Sequence, residues 1–468
     1  MASAISDPEL SRVHRKEVKG NEIDNPREPL INGVGYHESY SANAAILPFL
    51  FPALGALLYG YDIGATSGAT ISLESSTLSG TTWYDLSSLE IGLVVSGSLY
   101  GALIGSVLAF NIADFLGRRR ELILSSVLYL VGALVTALAP TYPVMVVGRF
   151  VYGIGIGLAM HAAPMYIAET APSQIRGILI SLEEFFVVIG MLFGYTAGSF
   201  VVGLVAGWRY IYVTSSPVCL IMGIGMWWLP PSPRWLLLCA IQGERNMSDA
   251  KEFAICCLCQ LRGQSVDGSA SKQIDAILNE LSYVDQDKQA TLREIFQGKC
   301  LKALVIGAGL VFFQQVTGQP SVLYYAATIL QSAGFSAASD AIRVSILLGL
   351  LKVVMAGTAV PVIDRLGRRP LLIGGVSWIL SFGPIGWLLI SEVFPLRLRG
   401  RGLSIAVLVN FASNALVTFA FSPLEALVGT GILFAGFGII AVAALLFIFF
   451  VIPETKGLTL EEIEAKIL

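Results

Sequence analysis

Eleven runs of apolar residues, each about the length that crosses a bilayer, dominate this chain. They lie at roughly 46–66, 90–111, 121–139, 143–166, 180–203, 209–229, 302–330, 341–362, 371–391, 403–424 and 427–451. A helix rises about 1.5 Å per residue, so about 20 apolar residues span a hydrocarbon core of about 30 Å. In lipid every backbone N–H and C=O must be satisfied within the segment, which makes runs of this length helices. Charged residues are 13% of the chain and hydrophobic residues 55%, against about 25% charged in soluble domains. A soluble fold of 468 residues needs more charge than this to wet its surface. The expected fold is therefore an all-α polytopic membrane protein with the lipid bilayer as its solvent. Net charge of −3 gives no electrostatic footprint for nucleic acid. The 48 glycines and 20 prolines suit helices packed in lipid.

Lys and Arg set the orientation. Arg118, Arg119 and Arg120 follow the second run, and Arg176 follows the fourth. Eight basic residues from Arg234 to Lys299 follow the sixth, and Arg365, Arg368 and Arg369 the eighth. The stretches 67–89, 140–142 and 331–340 carry none. The amino terminus and the even-numbered loops are expected in the cytosol. Residues 1–43 read as a disordered cytosolic tail without a cleavable signal peptide. The expected domains are a six-helix bundle over 44–230, a cytosolic loop over 231–300 with short amphipathic helices around Ile274, Ile277, Leu278 and Leu281, a shortened second bundle over 301–453, and a tail over 454–468. Cys219, Cys239, Cys256, Cys257, Cys259 and Cys300 lack zinc spacing and read as reduced thiols. No nucleophile, metal cluster or phosphate loop is read, so neither enzyme activity nor a cofactor is expected. Gly153, Gly155 and Gly157 lie inside an apolar run, and Gly97, Gly101 and Gly105 are spaced four apart. Both sets read as packing glycines. His161 reads as a packed histidine rather than a proton relay.

The chain repeats itself. Asp114-Phe-Leu-Gly-Arg-Arg-Arg120 follows the second run and Asp364-Arg-Leu-Gly-Arg-Arg-Pro370 the eighth. Glu169 and Arg176-Gly177 follow the first copy; Glu392 and Arg399-Gly400 follow the second. Pro231-Ser-Pro-Arg-Trp235 and Pro453-Glu-Thr-Lys-Gly457 close the two halves. Halves related in this way form a carrier whose substrate site lies at their interface. Asp114, Arg118, Arg119, Glu169, Arg176, Asp364, Arg368, Arg369, Glu392 and Arg399 can pair across helix ends and lock one side shut until the halves rock. The plainer alternative is positive-inside anchoring by solvated charge.

Gly60-Tyr61-Asp62, Gly148-Arg149-Phe150, Pro164-Met-Tyr-Ile-Ala-Glu169, Gln314-Gln315, Tyr324-Tyr325, Gly383-Pro-Ile-Gly-Trp387 and Pro453-Glu-Thr-Lys-Gly457 resemble the motifs of the sugar porter family of the major facilitator superfamily. The resemblance covers roughly 44–460 and is nearest the plant vacuolar glucose transporter and xylose–proton symporter-like group. It implies two helical bundles and carriage of a hexose or pentose, such as glucose or xylose, by proton coupling or facilitated diffusion. It also points to the vacuolar membrane rather than the plasma membrane. Asp62 matches the acid of proton coupling and Arg149 its partner. Each is a costly charge in an apolar run, where such groups are usually paired and functional, though a pair that only locks the fold stays open. Gln314 and Gln315 match ligands of sugar hydroxyls, and Tyr324 and Trp387 match walls of the pocket. Asn410 and Asn414 share one helical face and can reach the same cavity. Glu184 stands where the family usually has an amide, Met191 replaces another, and Pro320 replaces a sugar-binding Asn. A monomer is expected.

One interval departs from the repeat. Gly177 follows Asp114 by 63 residues, but Gly400 follows Asp364 by only 36, a deficit of 27, or about one helix and a turn. The run at 371–391 starts like the family's ninth helix and ends like its tenth, with a junction near Ser377–Ser381. Eleven spans instead of twelve are expected. That puts Arg397, Arg399 and Arg401 on the wrong side, unless the fused segment does not span normally or the last two helices invert. Proton-coupled sugar transport leads the functional readings. Facilitative uniport and a non-transporting, regulatory truncated isoform are the alternatives.

Overall fold

The computed structural model describes residues 42–172, 175–243, 246–262, 268–286, 298–335, 337–377 and 399–454, with Gly386, Leu389 and Val393 between the last two stretches. The described residues are helices joined by short turns. The first six runs become α1 (Ala42–Glu74), α2 (Ser88–Leu116), α3 (Arg118–Ala137), α4 (Tyr142–Thr170), α5 (Arg176–Val201) and a sixth span broken at Thr214 into α6 (Gly207–Val213) and α7 (Ser216–Trp228). Then come α8 (Pro233–Ile241), α9 (Met247–Arg262) and α10 (Gly268–Gln286). The later spans are α11 (Gly298–Val316), α12 (Gln319–Tyr324), α13 (Ala326–Ser332), α14 (Ala338–Leu366), α15 (Arg368–Ser377), α16 (Arg399–Val428) and α17 (Thr430–Val451). Among the described residues nine helical segments are long and apolar enough to cross a membrane. The apolar α1 adds a 33-residue helix that carries Pro48 and Pro52 within it.

Glycines bring these helices together. A Cβ on Gly97 would lie 3.2 Å from the Arg149 Cβ, and one on Gly101 or Gly105 would run into the α4 backbone. Gly153 and Gly157 return the contact against α2, and Gly155 lies against α3. Backbones this close gain dispersion contacts over a long seam, which stands in for the hydrophobic drive that lipid does not supply. Gly60, Gly64, Gly190 and Gly194 seat α1 on α5 in the same way.

The seventh run departs from the uninterrupted helix expected of it. It breaks at Gly318, whose φ of 83° is left-handed, and restarts with Pro320 in the first turn of α12. Glycine supplies the turn, and proline is accepted where its missing N–H has no helical acceptor.

Beyond the sixth span, α8, α9 and α10 form their own apolar core of Trp235, Leu236, Cys257, Leu258, Ile274 and Leu281, with Ile277 and Leu278 against it. Burial there pushes the Cys257 thiol up to about 11.

Candidate functional site

Three helices meet at Asp62 of α1. Asp62 and Arg149 of α4 are 2% and 1% exposed. The Arg149 guanidinium pairs with the Asp62 carboxylate. It also donates to Val94 O at 3.0 Å, Val95 O at 3.2 Å and Ser98 Oγ at 3.0 Å, all on α2. Ser98 Oγ in turn donates to the other Asp62 oxygen at 2.8 Å. The Tyr212 ring lies 5.3 Å beneath the guanidinium. A buried charge is tolerable only when it is paired and its remaining hydrogen-bonding positions are filled, and here both conditions hold. Ser98 is a site residue that sequence reasoning missed. Its only signal is its place in the small, polar Ser96-Gly-Ser98 stretch of an otherwise apolar run.

The amides lie in the second half. Gln315 on α11 donates to the Asn410 side chain on α16. One turn on, Asn414 accepts from Thr418 at 3.0 Å and donates to the Tyr59 hydroxyl of α1 at 3.4 Å. That last bond crosses between halves, as do Tyr195 Oη to Leu323 O at 2.7 Å and Ala327 N to Ser67 Oγ at 3.1 Å. Gln314 Oε1, Gln315 Oε1 and Tyr324 Oη are buried and have no hydrogen-bond partner among the described residues. Gln314, Gln315 and Tyr324 are 8%, 6% and 0% exposed. Gly386 brings its Cα region to Gln314, since a Cβ there would lie 3.5 Å from Oε1. Glu184 lies half-buried on α5. Trp387 lies outside the described residues.

At the Arg-rich end, Arg118 pairs with Glu169 at 3.3 Å. Arg119 donates to Met226 O at 3.1 Å and to Trp227 O, and Tyr166 Oη donates to Pro230 O at 2.8 Å. Gly117, with φ 77°, lets the Trp235 ring lie against the motif. The second copy repeats the arrangement. Gly367 has φ 95° and lies against Glu454. Arg369 N donates to Glu454 Oε2 at 3.1 Å, and the Arg369 guanidinium reaches Phe449 O and lies over the Phe449 ring. In each half the second arginine of the motif thus ties to the end of the last span. Glu392 and the side chains of Asp114, Arg176, Asp364, Arg368 and Arg399 lie outside the described residues. His161 does more than pack: its Nδ1 lies 3.0 Å from Oε1 of the fully buried Glu121.

Asn410, Asn414 and Glu454 keep partners on Gln315, Tyr59 and Arg369 that an inverted α16–α17 pair would forfeit. The described residues keep the uninverted arrangement.

Paired helical halves with a buried ion pair on one side and buried amides on the other define a membrane carrier. A profile described as "Sugar (and other) transporter" matches residues 49–380 and 376–467, and the chain belongs to this family. It is 63% identical to "D-xylose-proton symporter-like 2" of Arabidopsis thaliana over 500 positions, covering 99% of each chain. It is 56% identical to "D-xylose-proton symporter-like 3, chloroplastic" of the same plant, covering 92% of this chain and 84% of the relative. The solved structure of the proton:xylose symporter XylE bound to 6-bromo-6-deoxy-D-glucose matches with a TM-score of 0.73 and 28% identity, over 92% of this chain and 100% of that one. The two profile segments meet at 376–380, where the repeat predicts the junction. The 500-position alignment against 468 residues leaves at least 32 positions with nothing opposite them here.

Proposed function

We propose that this protein carries a neutral monosaccharide, such as glucose or xylose, together with a proton by alternating access. The observation that carries the reading is the pair of buried acceptors without donors among the described residues, Gln314 Oε1 and Gln315 Oε1. An orphaned buried polar atom costs stability unless something fills it, and sugar hydroxyls both donate and accept. Gln314, Gln315, Asn410, Asn414, Tyr324, Trp387 and Glu184 are assigned to the sugar. Asp62 is assigned the proton and Arg149 the role of holding Asp62 charged until a proton competes. Tyr59 and Asp62 stand one turn apart on α1, so protonation at Asp62 and occupancy at Asn414 act on the same helix. Arg118, Glu169, Arg119 and Arg369, with their repeat partners, act as the gate at the Arg-rich end. Residues 44–230 and 301–453 act as the rocking bundles, 231–300 as the connection and 454–468 as a tail, in a monomer. The vacuolar membrane is the proposed location, to be checked by imaging a fluorescently tagged chain in plant cells.

Labelled glucose and xylose uptake across external pH, in cells lacking hexose carriers and with surface delivery verified, tests the reading. Uptake should rise in acid and lose that dependence in Asp62→Asn. Uptake indifferent to pH would instead establish facilitated diffusion. A second reading, a non-transporting regulatory isoform, is favoured by the shortened second half and predicts a correctly inserted chain without uptake.

A further inference from the structure

At the centre of α14 stands a lysine, Lys352, that takes no part in the proton site or the amide cluster. Leu347, Leu350, Leu351 and Val354 mark the exposed face of this helix. Its other face packs on α5. A Cβ on Gly349 would lie 3.1 Å from the Tyr195 ring and 3.3 Å from Leu192, and one on Gly357 would lie 3.4 Å from Phe185. The two helices therefore run antiparallel. Lys352, one turn from Gly349 and one from the fully buried Ala356, faces the stretch of α5 between Phe185 and Leu192. Glu184 immediately precedes that stretch and shares a helical face with Val188, Met191 and Tyr195, the residue that reaches across to Leu323 O. Both Lys352 and Glu184 are half-buried. A Cβ on Gly60 would run into Val187 O, one turn from Glu184, so the neighbouring Tyr59, whose hydroxyl accepts from Asn414, lies on α1 where that helix meets the Glu184 end of α5. A cation from one half and an anion from the other thus stand on the two helices of the α5–α14 seam at membrane depth, where an unpaired charge is costly, and α5 there also meets the part of α1 that carries Tyr59, the partner of Asn414.

We infer that Lys352 and Glu184 are a charge filter for the sugar site: together they are neutral and admit uncharged sugars, and either one alone selects a sugar of opposite charge. Removing the Glu184 charge leaves a cation that favours a sugar carboxylate. Removing the Lys352 charge leaves an anion that favours an amino sugar. This rests on the sugar-carrier reading, and the test separates the two. The purified full-length chain binds labelled xylose, and glucose, glucuronate and glucosamine compete. In the unaltered chain glucose should compete, with glucuronate and glucosamine at least tenfold weaker. Glu184→Gln should improve glucuronate at least tenfold and leave glucosamine weak. Lys352→Asn should do the reverse, which keeps the inference testable if the first variant does not fold. The double variant should return to glucose alone. Variants that bind glucose but keep the unaltered charge preference overturn the filter, as does a double variant that still takes glucuronate. An unaltered chain that binds no labelled sugar overturns the carrier reading and the filter with it.

Discussion

Arg149 makes four hydrogen bonds, to Asp62, Val94 O, Val95 O and Ser98 Oγ, and that set depends on a planar fork. A lysine keeps the charge but has one nitrogen on a flexible stem, so it cannot reach two oxygens of α2 and the carboxylate of α1 in one geometry. Breaking a buried ion pair costs about 3–5 kcal/mol, mostly because a charge is left uncompensated. Arg149→Lys should therefore cut uptake more than tenfold and lower the melting temperature, although net charge is unchanged. A Lys variant that transports within a factor of two of the parent would show that charge alone is needed. Asp62 and Arg149 were legible in the sequence because a charge inside an apolar run stands out. Ser98 was not, because a serine in such a run is common and its value here lies in bridging two other residues. The backbone carbonyls of Val94 and Val95 carry no side-chain signal at all. Gln314, Gln315, Asn410 and Asn414 were legible as amides, but only the structure tells which atoms are paired and which are left open.

At the scale of elements, the repeated Asp-x-x-Gly-Arg-Arg motif was legible, and so was its place at the start of a helix. What each glycine faces was not, since the partner lies more than 80 residues away in both copies. Both glycines have positive φ, a sparsely populated backbone that costs an L side chain roughly 1–3 kcal/mol. Their surroundings differ. A Cβ on Gly117 would lie 2.6 Å from the Trp235 ring, which is rigid and buried, whereas one on Gly367 would lie 2.9 Å from a Glu454 carboxylate oxygen at the end of a flexible side chain. Gly117→Ala should therefore destabilise the protein more than Gly367→Ala, by a further 1–3 kcal/mol or so for the overpacking. Thermal unfolding of the two purified variants measures the difference, and equal losses would mean that backbone strain alone sets the cost. The break at Gly318 was hidden for a related reason. The polar dip that Gln314, Gln315, Thr317, Gln319 and Pro320 make in the run was readable, but that a positive φ at Gly318 followed by Pro320 ends one helix and starts another was not. Unwound backbone at that depth is tolerated where it lines a cavity, and the break lies next to Gln314 and Gln315.

The whole molecule is unequal in its two halves, and the inequality has a functional consequence. Among the nine described helical segments long and apolar enough to cross a membrane, the three most buried, the second, third and fourth spans, all lie in the first half, and the two least buried, α14 and α17 at 28% and 17%, lie in the second. The first-half helix that α1, α2 and α3 pack around is α4, which carries Arg149 and Glu169. Its repeat counterpart falls in the shortened interval, at the junction where the two profile segments meet. Leu389 and Val393 still pack with Leu310, Val311 and Leu372, and Gly386 lies against Gln314. The end of that missing counterpart is therefore kept and its beginning is not. Alternating access needs two bundles rigid enough to rock as units, because only bistable packed interfaces convert a small change at the site into a large one. A bundle short of one inner helix loses that rigidity before it loses its binding residues. Inserting about 27 apolar residues of the family's pattern between Ser377 and Ser381 should restore a full span, a length set by the rise of a helix across the bilayer. The expected outcome is uptake at least tenfold above that of the present chain at equal surface expression. Equal uptake by the two versions would show that the shortened bundle already rocks as a unit, and that α4 has no required counterpart.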